Sequence, residues 1–151
     1  MNLRTAALLL ATATSAAAVA KPPAPPPVAA EPARAHGLVF ALTTGPEDMM
    51  RMSAPFRQAR MVMEQRASDR ATIVISGRAA VLLLPGYTMP AELKTEFEAA
   101  KAAGVRVVVC EHSLGRFGIP IDHARTLVEV VPAAILEIAR LVGEGDEVLN
   151  Y

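Results

Sequence analysis

The sequence holds a single cysteine, Cys110, followed at once by Glu111, His112 and Ser113, with Arg116 three residues further on. A thiolate is a nucleophile and a soft ligand, whereas a protonated thiol is a small apolar filler, so the neighbours decide which role is open. His112 or Arg116 would bring positive charge to the sulfur and favour the thiolate; Glu111 works the other way. Backbone N–H groups would add to the effect if the chain after Cys110 opens a helical turn. Against this stands the general habit of cysteine, which is among the most buried residue types. Spacing alone leaves both a reactive and a structural Cys110 open.

Other chemistries fit less well. Cys110 and His112 in Cys-x-His spacing offer two metal ligands where structural zinc takes four. His36 and His123 are the only other histidines, so no metal centre is expected. Copper stays open through Met49, Met50, Met52, Met61 and Met63, although methionines at helical spacing more often fill a core or an interface. Ser113 lacks a Gly-x-Ser-x-Gly elbow, and its neighbour His112 would seldom face it. Thr44-Gly45-Pro46 is not a Gly-rich phosphate loop, which argues against NAD or ATP, and no cofactor is expected. The carboxylate pairs Glu96/Glu98 and Glu144/Asp146/Glu147 read as solvated faces.

The stretch that must position Cys110 is Val105 to Cys110, a β-branched run that starts after Gly104 and ends in a Gly-punctuated polar segment, 111–120. That pattern reads as a buried strand followed by a loop. In open α/β sheets, chemistry sits just beyond the carboxyl ends of strands, where Cys110 would lie. Before it come a strand at Leu38–Leu42, a helix from Asp48 to about Arg66, and a strand at Ala71–Ser76. A short helix from Arg78 to Leu84 and a helix from Pro90 to Ala103, capped by Gly104, complete that half. After it come a turn at Asp122–Arg125, a strand at Leu127–Val131, a helix from Ala133 to Val142 and a last strand at Glu147–Tyr151. Such alternation predicts an α/β fold, a mainly parallel sheet with helices on both faces. The first helix carries Met49, Met52, Phe56, Ala59 and Met63 on one face and Met50, Ala54 and Met61 roughly opposite, so a second surface, such as another subunit, would cover it.

The first 35 residues read differently from the rest of the 151. Residues 1–20 have the layout of a cleaved signal peptide: Arg4, an Ala/Leu/Thr run, then Ala18-Val19-Ala20 before Lys21. The apolar part, about 16 weakly apolar residues, is short against the ~20 of a membrane span, so no span is expected after cleavage. A periplasmic or secreted protein is the expectation. Residues 21–35 form a Pro/Ala-rich tether and 36–151 the folded domain. Arg4 is the leader's only charge, leaving 14 Lys+Arg against 15 Asp+Glu. No basic stripe and no Trp argue against nucleic-acid binding.

Several of these pieces, taken in order, resemble the DsrE/DsrF-like family, which includes the TusD-type sulfur-relay proteins. They are Thr44-Gly45-Pro46 after the first strand, Gly104-Val105 leading to Cys110, Ser113-Leu114-x-Arg116-Phe117-Gly118-Ile119, Val128-Glu129-Val130-Val131, and Glu144-Gly145-x-x-Val148-Leu149. The resemblance implies a three-layer α/β/α sandwich around a five-stranded, mainly parallel sheet, and homo- or hetero-oligomers. It also implies that Cys110 accepts sulfane sulfur as a persulfide and passes it to an acceptor protein. His112 and Arg116 would then stabilise the thiolate. The relay members are cytoplasmic, whereas this chain opens with an export-type leader. The alternative reading is a non-enzymatic oligomeric module binding a small ligand or soft metal in a strand-end pocket lined by Cys110, His112 and methionines.

Overall fold

Short valine- and isoleucine-rich runs bounded by turns leave their backbone groups unpaired unless they lie side by side. In the computed structural model, which describes residues 37–151, five such runs pair. They are β1 (Leu38–Leu42), β2 (Ala71–Ile75), β3 (Arg106–Cys110), β4 (Glu129–Val131) and β5 (Glu147–Asn150). The sheet runs β4-β3-β2-β1-β5 and every pairing in it is parallel. The expected signal peptide at 1–20 and tether at 21–35 lie outside the described residues.

Between the strands lie α1 (Met49–Glu64), a 3-10 helix (Gly77–Leu83), α2 (Ala91–Ala102), α3 (Glu111–Arg116), α4 (Ile121–Arg125) and α5 (Ala134–Gly143). Asp48 caps α1, its Oδ1 accepting the Arg51 N–H at 3.0 Å. The chain steps in one direction from β1 to β4, then crosses back over the sheet to reach β5. Right-handed crossovers change face when the direction reverses, so α5 alone lies on the opposite side. The packing shows the split: Phe40, Ile73, Ile75, Val107 and Val109 meet Phe56 and Phe97 of α1 and α2, while Val39, Val74, Val108 and Val131 meet Leu141 of α5. The architecture is therefore three-layered but lopsided, with a thick layer on one face and a single ten-residue helix on the other.

Residues 111–120, expected as a loop, begin with helix α3 instead. Gly115 does not prevent this, because a glycine inside a helix costs only about 1 kcal/mol relative to alanine. Burial of Leu114, acidic Glu111 in the first turn and Arg116 in the last outweigh that cost. The helix stops at Arg116, and the turn beyond it passes through Gly118, whose φ of +64° a side-chain-bearing residue would adopt only under strain.

With so few apolar contacts, α5 is also held by charge. Arg106, the one polar break in the β3 run, reaches Glu129 of β4 at 2.6 Å and Glu137 of α5. Glu137 pairs with Arg140 at 2.7 Å, and Arg140 in turn pairs with Glu144. Hydrogen bonds from Arg140, and then from Arg106, outweigh the opposing effect of burial and hold the Glu137 carboxyl down at about 2. A carboxylate with a lowered folded-state pKa contributes stability above its unfolded value and loses it as pH falls toward the folded value. Glu137→Gln is expected to cost about 1–2 kcal/mol at neutral pH, a figure discounted because the guanidinium partners are partly exposed. Urea unfolding of both proteins should show that gap fall to less than half by about pH 3; a gap independent of pH would contradict the pairing.

Candidate functional site

Alternation along β3 turns Val107 and Val109 to the α1/α2 side and Val108 and Cys110 to the α5 side. Cys110 is the last residue of the strand, opposite Val131 of β4, and the cap residue of α3. It thus sits where a strand, the first turn of one helix and the start of another converge. The side chain is 6% exposed and not bonded in a disulfide.

Burial pushes the Cys110 thiol up, and it is the largest single influence. The backbone N–H of Ala134 at the start of α5, the N–H and hydroxyl of Ser113, and the N–H of His112 together outweigh it, so the pKa lies below the ordinary thiol value. A neutral thiol is a weak acceptor and a thiolate a strong one, so these donors act chiefly on the ionised form. A lowered pKa raises the thiolate fraction at a given pH.

The three residues expected at the site are placed unequally. His112 reaches the sulfur through its backbone N–H, while its imidazole is on an exposed residue. Arg116 is exposed, on the last turn of α3, and is not among the groups that act on the thiol. Ser113 lies between them on α3. It is 8% exposed, and its Oγ accepts the Gly77 N–H from the end of β2 at 2.9 Å. Gly77 has φ +56°, and a Cβ there would lie 3.6 Å from the Thr43 carbonyl, so the turns after β1, β2 and β3 touch one another along this edge. Nothing in the sequence marks a Ser113–Gly77 bond, because it joins residues 36 positions apart. Ala134 is equally hidden: a backbone donor carries no residue-type signal.

The cavities lined by Met49, Met50 and Met61 do not include Cys110 or His112. Met52 is buried in the core, whereas Met50 is 79% exposed. Met50 lines a cavity of about 680 Å³ with Thr43, Arg57 and Tyr151, beyond the carboxyl ends of β1 and β5. That cavity lacks Cys110 and His112 among its lining residues. Among the described residues no group of three or more His, Cys, Asp or Glu side chains is arranged to hold a metal ion. No helix among them is long and apolar enough to cross a membrane.

Comparison with known proteins agrees with this architecture. The model of the DsrE/DsrF-like family matches residues 36–151. Among solved structures, the protein MTH1491 from Methanobacterium thermoautotrophicum, described as of unknown function, superposes with a TM-score of 0.64 at 22% identity, covering 77% of this chain and 99% of that one. The ychN protein from E. coli gives 0.61 at 21% identity, with coverage of 77% and 99%. The conserved protein BT1422 from Bacteroides thetaiotaomicron, also of unknown function, gives 0.61 at 15% identity, with coverage of 77% and 95%. At these identities the likeness concerns the fold. No curated protein matches.

Proposed function

The chain belongs to the DsrE/DsrF-like family, and on that footing we propose that it is a sulfur carrier, taking sulfane sulfur onto Cys110 as a persulfide and passing it to a partner protein. The observation that carries this reading is the thiol at the carboxyl end of β3, its pKa lowered by N–H groups from two helices and the Ser113 hydroxyl despite its burial. In the first step the Cys110 thiolate attacks the outer sulfur of a persulfide donor. A new S–S bond forms, the donor's S–S bond breaks, and the donor thiolate leaves with the electron pair. In the second step an acceptor thiolate attacks the outer sulfur on Cys110, and Cys110 leaves as thiolate. Neither step needs an external oxidant or reductant. A depressed Cys110 pKa favours both, through thiolate fraction in the first and leaving ability in the second. Exposed His112 and Arg116 would flank an approaching anionic donor.

The partner face lies close by. The N–H of Ala134 is among the groups that lower the Cys110 pKa, and the next two residues, Ile135 and Leu136, are 70% and 67% exposed. Met50 and Met61 give α1 a second exposed apolar flank. These surfaces support an oligomer, an acceptor protein, or both. The leader read in residues 1–20 would put this chemistry in the periplasm or outside the cell.

The test is mass analysis of the reduced protein after exposure to polysulfide or thiosulfate, with Cys110→Ser alongside. A gain of sulfur that reductant reverses, on the wild type alone, is expected, and the same samples under native conditions report the assembly. No adduct, together with slow alkylation of Cys110, would make the cysteine structural. The cavity beside Thr43 and Tyr151 would then favour the binding-module reading.

A further inference from the structure

We propose that the crevice beyond the carboxyl ends of β1 and β5 is a binding site for a small molecule with an oxyanion head, a carboxylate or phosphate, on an apolar or aromatic body. In an open parallel sheet, ligands settle outside the carboxyl ends of the strands, at the point where the strand order reverses. Here the order reverses at β1. Its neighbour β2 follows across α1 on one face, and its other neighbour β5 arrives across α5 on the opposite face. The cavity of about 680 Å³ lies at this reversal and is within the size range of small-molecule sites. Cys110 ends β3, two strands away, and is not among its lining residues.

The walls of the crevice divide by chemistry. The Tyr151 ring stacks on Phe40 with centroids 6.1 Å apart, and its hydroxyl donates to Gln58 Oε1. Held at both ends, the ring is a fixed apolar wall, and exposed Met50 is a pliable one. The polar groups are chiefly donors. Arg57 makes no ion pair or side-chain hydrogen bond among the described residues. Gln58 has its oxygen engaged by Tyr151, which leaves its amide N–H groups to donate.

Negative charge is sparse here. No Asp or Glu is among the lining residues. The main-chain oxygen of Tyr151 is already met by the Thr43 N–H at 3.0 Å and the Thr43 hydroxyl at 2.9 Å. Glu92 lines a second groove that Arg57 also borders, yet the two form no ion pair. Arg51, the other cation of the crevice, is partly neutralised by Asp48 at 3.8 Å, so recognition of the head falls to Arg57. A free guanidinium presents a planar fork that matches a carboxylate or phosphate with two hydrogen bonds.

The inference does not rest on sulfur transfer at Cys110; it gives a ligand class to the cavity of the binding-module reading. Benzoate, phenyl phosphate and phenol are titrated into the full chain in about 0.15 M NaCl, which screens loose surface binding, and amide resonances are followed. Saturable shifts at Thr44, Gln58 and Asn150 are expected with benzoate or phenyl phosphate, the tighter of the two binding about tenfold better than phenol. Arg57→Gln should weaken that binding about tenfold. Arg66→Gln, which removes an exposed, unpaired charge beyond the other end of α1, should leave it unchanged. Cys110→Ser should bind as the wild type does, whatever becomes of the carrier reading. Phenol binding as tightly as the anions, equal losses from the two arginine variants, a loss in Cys110→Ser, or no saturable shift around the crevice would overturn the assignment.

Discussion

Phe56→Ala is expected to remove about 4 kcal/mol of stability and lower the melting temperature by on the order of 15 °C. Phe56 is 0% exposed on the inner face of α1, its ring edge-on to Phe97 of α2 with centroids 5.4 Å apart. Both rings belong to the larger apolar cluster, where α1 and α2 together cover Phe40, Ile73, Ile75, Val107 and Val109. Truncation would lose the transfer free energy of the ring, the aromatic pair and the packing around the void, and α1 could not collapse into the gap without leaving β1 and β2. Leu141→Ala, on the thin face, should cost less, about 2–3 kcal/mol, because only Val39, Val74, Val108 and Val131 form the buried cluster around it. Denaturant melts of both variants test the lopsided layering; equal losses, or a Phe56→Ala loss under about 2 kcal/mol, would contradict it.

That lopsidedness marks the limit of what the sequence made legible. The strands and the three longer helices follow from local signals: β-branched runs for β2 and β3, Asp48 before α1, Pro90 and Gly104 bracketing α2. Alternation of strand and helix implies a parallel sheet, and all four pairings are parallel. The strand order is not local. Nothing within β5 says that it lies beside β1 rather than β4; that follows only once the crossovers are placed on their faces. In α5, Ile135, Leu136 and Val142 look like core residues, yet they are exposed and Leu141 alone is buried. A helix apolar on two sides does not reveal which side the sheet takes.

At the site the pattern repeats. Cys110 was legible because it ends a strand-like run, and the position is where such sheets carry chemistry. The groups that lower its pKa were not, for they are mainly backbone N–H donors whose presence depends on α3 being helical and on α5 starting beside β3. His112 and Arg116 are recognisable by residue type, whereas burial of Ser113 and its tie to Gly77 arise from tertiary contact. Residue type points to the nucleophile; the donors around it come from where the chain returns.

Gly37→Ala is expected to cost about 3 kcal/mol although it adds a single methyl group. At the opposite end of the sheet, the Gly37 carbonyl accepts the Glu147 N–H at 3.0 Å, and the Arg70 carbonyl accepts the Leu38 N–H at 3.0 Å, so the starts of β1, β2 and β5 meet there. Asp146 is enclosed at this junction, its side chain 0% exposed, with Arg70 Nε at 3.0 Å from one carboxylate oxygen and Nη2 at 2.6 Å from the other. A Cβ on Gly37 would stand 2.6 Å from Arg70 Cγ and closer still to Asp146 Oδ1. Real Cβ atoms do not approach so near, so either the ion pair or the strand must shift. Asp146→Ala by itself should also cost about 3 kcal/mol, at the lower end for breaking a buried pair because half-exposed Arg70 keeps Glu144 at 3.3 Å. The two losses should not add. Once the carboxylate is gone, the space it filled accepts the new methyl and the freed arginine can swing outward, so the double variant should lose about 4 kcal/mol rather than 6. Denaturant titration of the four proteins closes the cycle. A coupling near 2 kcal/mol would identify the junction as one packed unit; additivity within about 0.5 kcal/mol would mean that Gly37 is small for some reason other than Asp146.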